Sequence, residues 1–318
     1  DPNTGEIYAM GALPSFDPND FSGEKNTNVF SNSLVEEVRE MGSIIKPLTV
    51  AAGLDAGVIT ANSTYSDKGS VTLNTETIYN FDKKKGRGVI DIQTALANSL
   101  NTGMVHIMQL LGRNKFTEYF YNFGLGQKTG IDLPNEALDI VTNLESPRDI
   151  EHATASFGQG IALTPVATVR ALSALANGGL LITPHIVKEI KYESGLSKKI
   201  EYPEPKRVIK KESADEISRM LVKVVDGTLL DGKAKNPHYS VAAKTGTAQI
   251  AKPGGGGYYE DRYLHSFVGY FPAYEPRFLV FIYTVYPKGV SFAANTLANP
   301  FLKLSKFLLS YYDIAPDR

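Results

Sequence analysis

The sequence predicts an α+β fold, a sheet completed by strands from both ends of the chain with helices inserted between them. Two observations predict it. Short β-type segments lie at the ends, at residues 5–10 and again at Ser240–Ala248, His265–Phe271 and Phe278–Tyr286. Apolar residues at helical spacing fill the middle. The chain has 318 residues, of which 42% are hydrophobic, enough for one large domain or two ordinary ones with a substantial core.

In order, residues 5–10 alternate and follow a Pro/Asn/Gly turn, so they read as the first strand. Residues 11–42 are irregular. Ile44, Ile45, Leu48, Val50, Ala51, Leu54 and Val58 form a helical stripe that begins after Gly42-Ser43 and stops near Gly57. Pro47 falls in its first turn, where a missing N–H costs nothing. Residues 62–88 read as loops and short strands. Asp91 caps a helix running to Ser99, a second helix spans Thr102–Gly112, and a third spans Phe116–Phe123. Thr164-Pro165 opens a helix that ends at Asn177-Gly178-Gly179. Residues 181–193 and 197–209 suggest a hairpin. Ser213–Val225 is amphipathic, and a last helix covers about Leu297 to Leu309.

Composition removes several functions. The formal net charge is -1, which gives no bulk attraction for nucleic acid. The dense basic run Lys83-Lys84-Lys85-Gly86-Arg87 reads as a solvated loop. Without cysteine there is no disulfide, thiol catalysis or thiolate metal site. Five scattered histidines offer no metal-ligand spacing, and no cofactor motif is found. The longest apolar stretch, Ile161 to Ile182, is interrupted by Arg170, Asn177 and paired glycines, so it is not a membrane span. The abrupt opening Asp1-Pro2-Asn3-Thr4-Gly5, without a signal peptide, reads as an excised domain whose anchor and upstream modules lie elsewhere.

Three short motifs carry chemistry: Ser43-Ile44-Ile45-Lys46, Ser99-Leu100-Asn101 and Lys244-Thr245-Gly246. In that order, S-x-x-K, S-x-N and K-T-G are the parts of an active-site serine acyltransferase. With Ser43 at a helix N-terminus, Lys46 lies one turn later on the same face, with Cβ atoms roughly 5–6 Å apart. Serine needs a base, and a buried lysine of lowered pKa can serve. The helix N-terminus supplies free N–H groups for an oxyanion. Ser99 and Asn101, two apart on a turn, can offer a hydroxyl and an amide to one cleft. Lys244-Thr245-Gly246-Thr247 follows a small apolar run and reads as an edge strand able to pair an extended peptide. Gly246 lets a substrate backbone approach, and the threonine hydroxyls with Lys244 suit a carboxylate. Each motif alone also fits a helix cap or a surface loop. Two decoys show this. Ser22-Gly23-Glu24-Lys25 precedes no apolar helix, and Lys128-Thr129-Gly130 lies in a loop.

Nearly end to end, the chain resembles the transpeptidase domain of class B penicillin-binding proteins. The resemblance rests on Asp1-Pro2 with Thr4-Gly5-Glu6-Ile7, on Gly42-Ser43-x-x-Lys46-Pro47 and on Gly126–Pro134, which accounts for the decoy K-T-G. It continues through Ser156-Phe157-Gly158-Gln159-Gly160, Lys244-Thr245-Gly246-Thr247-Ala248-Gln249 and Ser266-Phe267-Val268-Gly269-Tyr270. Met41, Ala243 and Ser291–Asn295 depart from the family pattern. The resemblance implies a β-lactamase/transpeptidase-like antiparallel sheet of about five strands with an inserted helical subdomain. The α/β part would be approximately 1–42 and 205–318, and the helical part approximately 43–204. It implies that Ser43 attacks the D-Ala-D-Ala carbonyl of a peptidoglycan stem peptide and that Lys46 takes its proton. Ser99 would relay a proton with support from Lys244. Asn101 would hold the substrate backbone, and Thr245 and Thr247 its carboxylate, with Gly246 between them. The N–H groups of Ser43 and Thr247 would bind the oxyanion. β-Lactams would acylate Ser43, and no metal or cofactor is involved. Expected partners are stem peptides and cell-wall synthesis proteins, at the extracytoplasmic face of a bacterial membrane. A D,D-carboxypeptidase or β-lactamase, a β-lactam sensor and an inactive scaffold are the alternatives.

Overall fold

The computed structural model describes residues 1–82 and 85–318. In chain order the elements are α1 (Ser33–Glu36), α2 (Lys46–Asp55), β1 (Thr64–Asp67), β2 (Ser70–Leu73), β3 (Glu76–Tyr79), β4 (Gly88–Asp91), α3 (Ile92–Ala97), α4 (Asn101–Leu111) and α5 (Arg113–Asn122). There follow α6 (Asp149–Ala155), α7 (Pro165–Ala176), β5 (Leu180–Leu181), β6 (Glu189–Lys191), β7 (Ser197–Lys199), β8 (Lys206–Arg207) and α8 (Lys211–Gly227). The chain closes with β9 (Ala242–Ala251), β10 (Tyr258–Phe271), β11 (Phe278–Val285) and α9 (Ala293–Tyr311).

The principal sheet is antiparallel, in the order β11-β10-β9. Its alternation sets two layers. Ala242, Val268 and Tyr270 face a core shared with Ile44, Leu48 and Val50 around α2, Met104 and Ile107 on α4, and Met220 and Leu221 on α8. Val241, Ala243, Phe267 and Phe271 face the other way, against Leu297, Ala298 and Phe301 of α9. Phe267 stacks on Phe301 with centroids 4.4 Å apart. Each such buried ring contributes roughly 2–3 kcal/mol of apolar transfer. Helix α2 is buried from Lys46 through Gly53, so it is the axis of the helical layer.

Several sequence expectations hold. Asp91 accepts the Thr94 N–H at 2.7 Å and caps α3. Thr164 caps α7 through the Ala167 N–H, with Pro165 first in the helix. Helix α8 buries Ile217, Met220, Leu221 and Val224 as the periodicity requires.

Others need correction. Among the described residues the sheet has three strands, where about five were expected. The N-terminal segment forms no strand. Glu6 makes one bridge, to His185, and Ile7 and Met10 pack on Val35, Ile131 and Val166 instead. A two-residue alternation shows which face is apolar but does not name the surface that covers it. The expected 181–209 hairpin is two nested pairs, β5-β8 and β6-β7. In the basic run, Lys83 and Lys84 lie outside the described residues. Arg87 is not solvated but turns inward toward Asp82 and the buried Asp67.

Candidate active site

The Ser43 turn is not the first turn of an α-helix. Gly42–Ile45 is a 3-10 turn that runs into α2 at Lys46, and the Lys46 N–H donates to the Ser43 carbonyl. Close packing holds this turn against β9. Gly42 has φ +63°, and a Cβ there would lie 3.1 Å from Ala248 Cβ and 3.2 Å from the Thr247 carbonyl oxygen. Opposite it, a Cβ at Gly246 would lie 2.3 Å from Ser266 Oγ and 2.7 Å from the Met41 carbonyl oxygen. Ser266 Oγ donates to that same carbonyl at 3.0 Å. Gly246→Ala is therefore expected to lower stability by about 1–3 kcal/mol, since one methyl must part the sheet from the Ser43 turn. A thermal melt checks this, and an unchanged melting temperature would refute the tight packing.

Three sequence-predicted residues meet at one hydroxyl. Lys46 Nζ donates to Ser99 Oγ at 3.2 Å and, at short range, to the Ser99 carbonyl. Lys244 Nζ donates to the same Ser99 Oγ at 3.0 Å and to the Thr245 carbonyl at 3.0 Å. Both lysines are buried. Burial, with the neighbouring Lys244 charge, holds the Lys46 amine well below the ordinary lysine range. Burial alone lowers Lys244 to about 8. Two ammonium groups sharing a desolvated site repel, so their titration belongs to the pair, and the charged form is disfavoured most at Lys46. A neutral amine has two hydrogens and a lone pair. Both hydrogens go to Ser99, which leaves the lone pair.

Ser99 adopts φ +55°, a left-handed conformation unusual for serine, at the end of α3. Backbone strain of this kind costs on the order of 1–3 kcal/mol and marks sites held by their surroundings. Asn101, the first residue of α4, donates through Nδ2 to the Tyr79 carbonyl at 2.9 Å. Thr245 and Thr247 lie on β9, the sheet edge, opposite Phe267 and His265 of β10. Thr247 Oγ1 accepts the Ala293 N–H at 3.1 Å, so the start of α9 braces it while its own proton stays available.

Neither decoy joins this cluster. Ser22 lies in an exposed 3-10 turn at Phe21–Gly23. The Thr129 N–H and hydroxyl both donate to Glu136. Sequence reasoning missed Glu40, whose carboxylate accepts the Gly160 N–H at 3.1 Å and the Tyr258 hydroxyl at 2.9 Å. Burial pushes its pKa up. It ties the segment before Ser43 to the β9–β10 arm, and no local pattern announces such a contact.

A model of the penicillin binding protein transpeptidase domain matches residues 1–304. The chain belongs to this family. Stage V sporulation protein D of Bacillus subtilis strain 168 is 35% identical over 312 residues, covering 94% of this chain and 46% of that protein. Penicillin-binding protein PbpB of Mycolicibacterium smegmatis is 28% identical over 329 residues, covering 100% of this chain and 50% of that one. This transpeptidase-family chain thus spans about half the length of these relatives. Among solved structures, penicillin binding protein 3 of Mycobacterium tuberculosis complexed with aztreonam superposes with a TM-score of 0.91 at 27% identity, over 100% of this chain and 72% of that one. The ampicillin complex of the same protein gives 0.90 at 27% identity, over 99% and 72%. The β-lactamase/transpeptidase fold follows, with its helical layer on one face of the sheet and α9 on the other.

Proposed function

We propose that this domain is a serine D,D-transpeptidase that cross-links peptidoglycan stem peptides and is acylated by β-lactams. The observation that carries this is the convergence of Lys46 and Lys244 on Ser99, beside the Ser43 turn and along an edge strand.

The Ser43 hydroxyl proton passes to the Lys46 lone pair as Ser43 Oγ attacks the penultimate D-alanine carbonyl. The N–H groups of Ser43 and Thr247, on segments pressed together at Gly42, bind the oxyanion. As the C–N bond breaks, Ser99 passes its proton to the departing D-alanine amine and takes in exchange the proton that Lys46 acquired from Ser43, supported by Lys244. Asn101 binds the substrate amide. Thr245 and Thr247 bind the terminal carboxylate, and Gly246 lets the peptide lie along β9. An amine of a second stem peptide then attacks the acyl-enzyme, which regenerates Ser43. A β-lactam follows the first half and leaves slowly because its amine stays tethered. A domain with this activity acts outside the cytoplasm, where peptidoglycan lies, with other cell-wall synthesis proteins as its partners. A relative in Neisseria meningitidis, 29% identical over 326 residues, bears the name "Probable peptidoglycan D,D-transpeptidase PenA".

The test offers a D-Ala-D-Ala stem peptide with and without an acceptor amine. Release of D-alanine with a cross-linked product supports the reading. Hydrolysis alone would make it a carboxypeptidase, and rapid turnover of bound penicillin a β-lactamase.

The Lys244 charge gives a pH prediction. Its proton is present below about 8 and lost above it, so acylation is expected to fall on the alkaline side with an apparent pKa near 8. Lys244→Arg stays charged across this range and should remove that limb. A limb unmoved in the arginine variant would assign it to another group.

A further inference from the structure

Helix α4 begins at Asn101 without a side-chain cap of its own, since Leu100 precedes it. The orphan N–H groups of a helix start need partners. One partner comes from a distant segment: Asn80 Oδ1 accepts the Thr102 N–H at 3.2 Å. Beneath it lies Asp67, whose side chain is wholly buried. Its carboxylate accepts the Thr102 hydroxyl at 2.9 Å, Asn80 Nδ2 at 3.0 Å, the Gly69 N–H at 2.9 Å and the Arg87 N–H at 3.1 Å. The Arg87 guanidinium stands 3.5 Å away. The single Thr102 proton goes to the charged acceptor, so the Tyr65 hydroxyl, 3.1 Å away, donates to Thr102 Oγ1. Burial raises the Asp67 carboxyl, but the hydrogen bonds outweigh it and hold the pKa below its ordinary value. A carboxylate near a helix N-terminus also meets the positive end of its dipole. Asn101 itself is fastened to Tyr79, the neighbour of Asn80. The first turn of α4 is thus tied twice to residues 79–80, and Asp67 locks that segment from below.

We propose that Asp67, acting through Asn80 and Thr102, is a positioning residue that holds the Asn101 amide in place for the substrate. This rests on the role given to Asn101 above. The test is the second-order rate of acylation by a fluorescent penicillin. Thr102→Val keeps the shape and removes only the hydroxyl, Thr102→Ser keeps the hydroxyl, and Asn80→Ala removes the cap. Each is measured in the wild-type and Asn101→Ala backgrounds, with a thermal melt alongside. Thr102→Val and Asn80→Ala are expected to slow acylation about tenfold, the loss typical of one mispositioned hydrogen bond. Thr102→Ser should stay within about twofold of wild type. If Asp67 acts through Asn101, the same changes should cost almost nothing further in the Asn101→Ala background. The proposal is overturned if Thr102→Val and Asn80→Ala acylate at the wild-type rate, or if their losses are equal in both backgrounds. Asn80→Ala carries the test alone should Thr102→Val fail to fold. An Asn101→Ala protein that acylates normally would instead overturn the reading on which the proposal rests.

Discussion

Lys46→Ala is expected to lower the rate of acylation by penicillin about 10²–10⁴-fold, the range for loss of a positioned general base. The fold should survive. Alanine suits a helix, and the change removes a buried amine whose charged form the site already disfavours. The loss should not be recovered by raising the pH, because no other group takes the Lys46 position. Lys244 stays committed to Ser99 and Thr245. Intact-mass measurement of acylation, beside circular dichroism of the variant, checks both halves. Retained acylation in a folded variant would remove Lys46 from the role of base.

The second large effect is at Ser43 itself. Ser43→Ala should abolish the covalent adduct while leaving the melting temperature within about 1–2 °C, since a half-buried hydroxyl is lost without a cavity. Ser99 is the alternative nucleophile to exclude. It receives hydrogen bonds from both lysines, but both are donors to it, and a hydroxyl that accepts two ammonium or amine hydrogens is made less nucleophilic. Ser99→Ala should therefore slow labelling without abolishing it.

The motifs were legible because residues that must meet lie close in sequence or follow turns with strong signatures. Gly42-Ser43 before an apolar stripe pointed to the turn proposed to carry the nucleophile, and the small residues before Lys244 pointed to its strand, which the structure contains as β9. What touches what was less legible. Helical spacing predicted a Lys46–Ser43 pair, whereas the hydrogen bonds of the lysine amine run across 53 residues to Ser99. Asp67 and Asn80 lay in a segment read only as loops and short strands. A polar residue in a loop looks solvated until the fold buries it, and here both are buried in a shared network. The N-terminal alternation was real, but its cover is Val35, Ile131 and Val166 rather than the sheet. Residues Ser291–Asn295 departed from the family pattern, yet the N–H of Ala293 within them braces Thr247.

The central claim is that Ser43, deprotonated by Lys46, carries the acyl group. Peptide mapping of the protein after brief treatment with penicillin tests it most directly. The predicted result is one penicilloyl adduct, on the peptide that contains Ser43, absent from Ser43→Ala and persisting over many minutes. An adduct on Ser99 or elsewhere, or labelling that survives in Ser43→Ala, would contradict it.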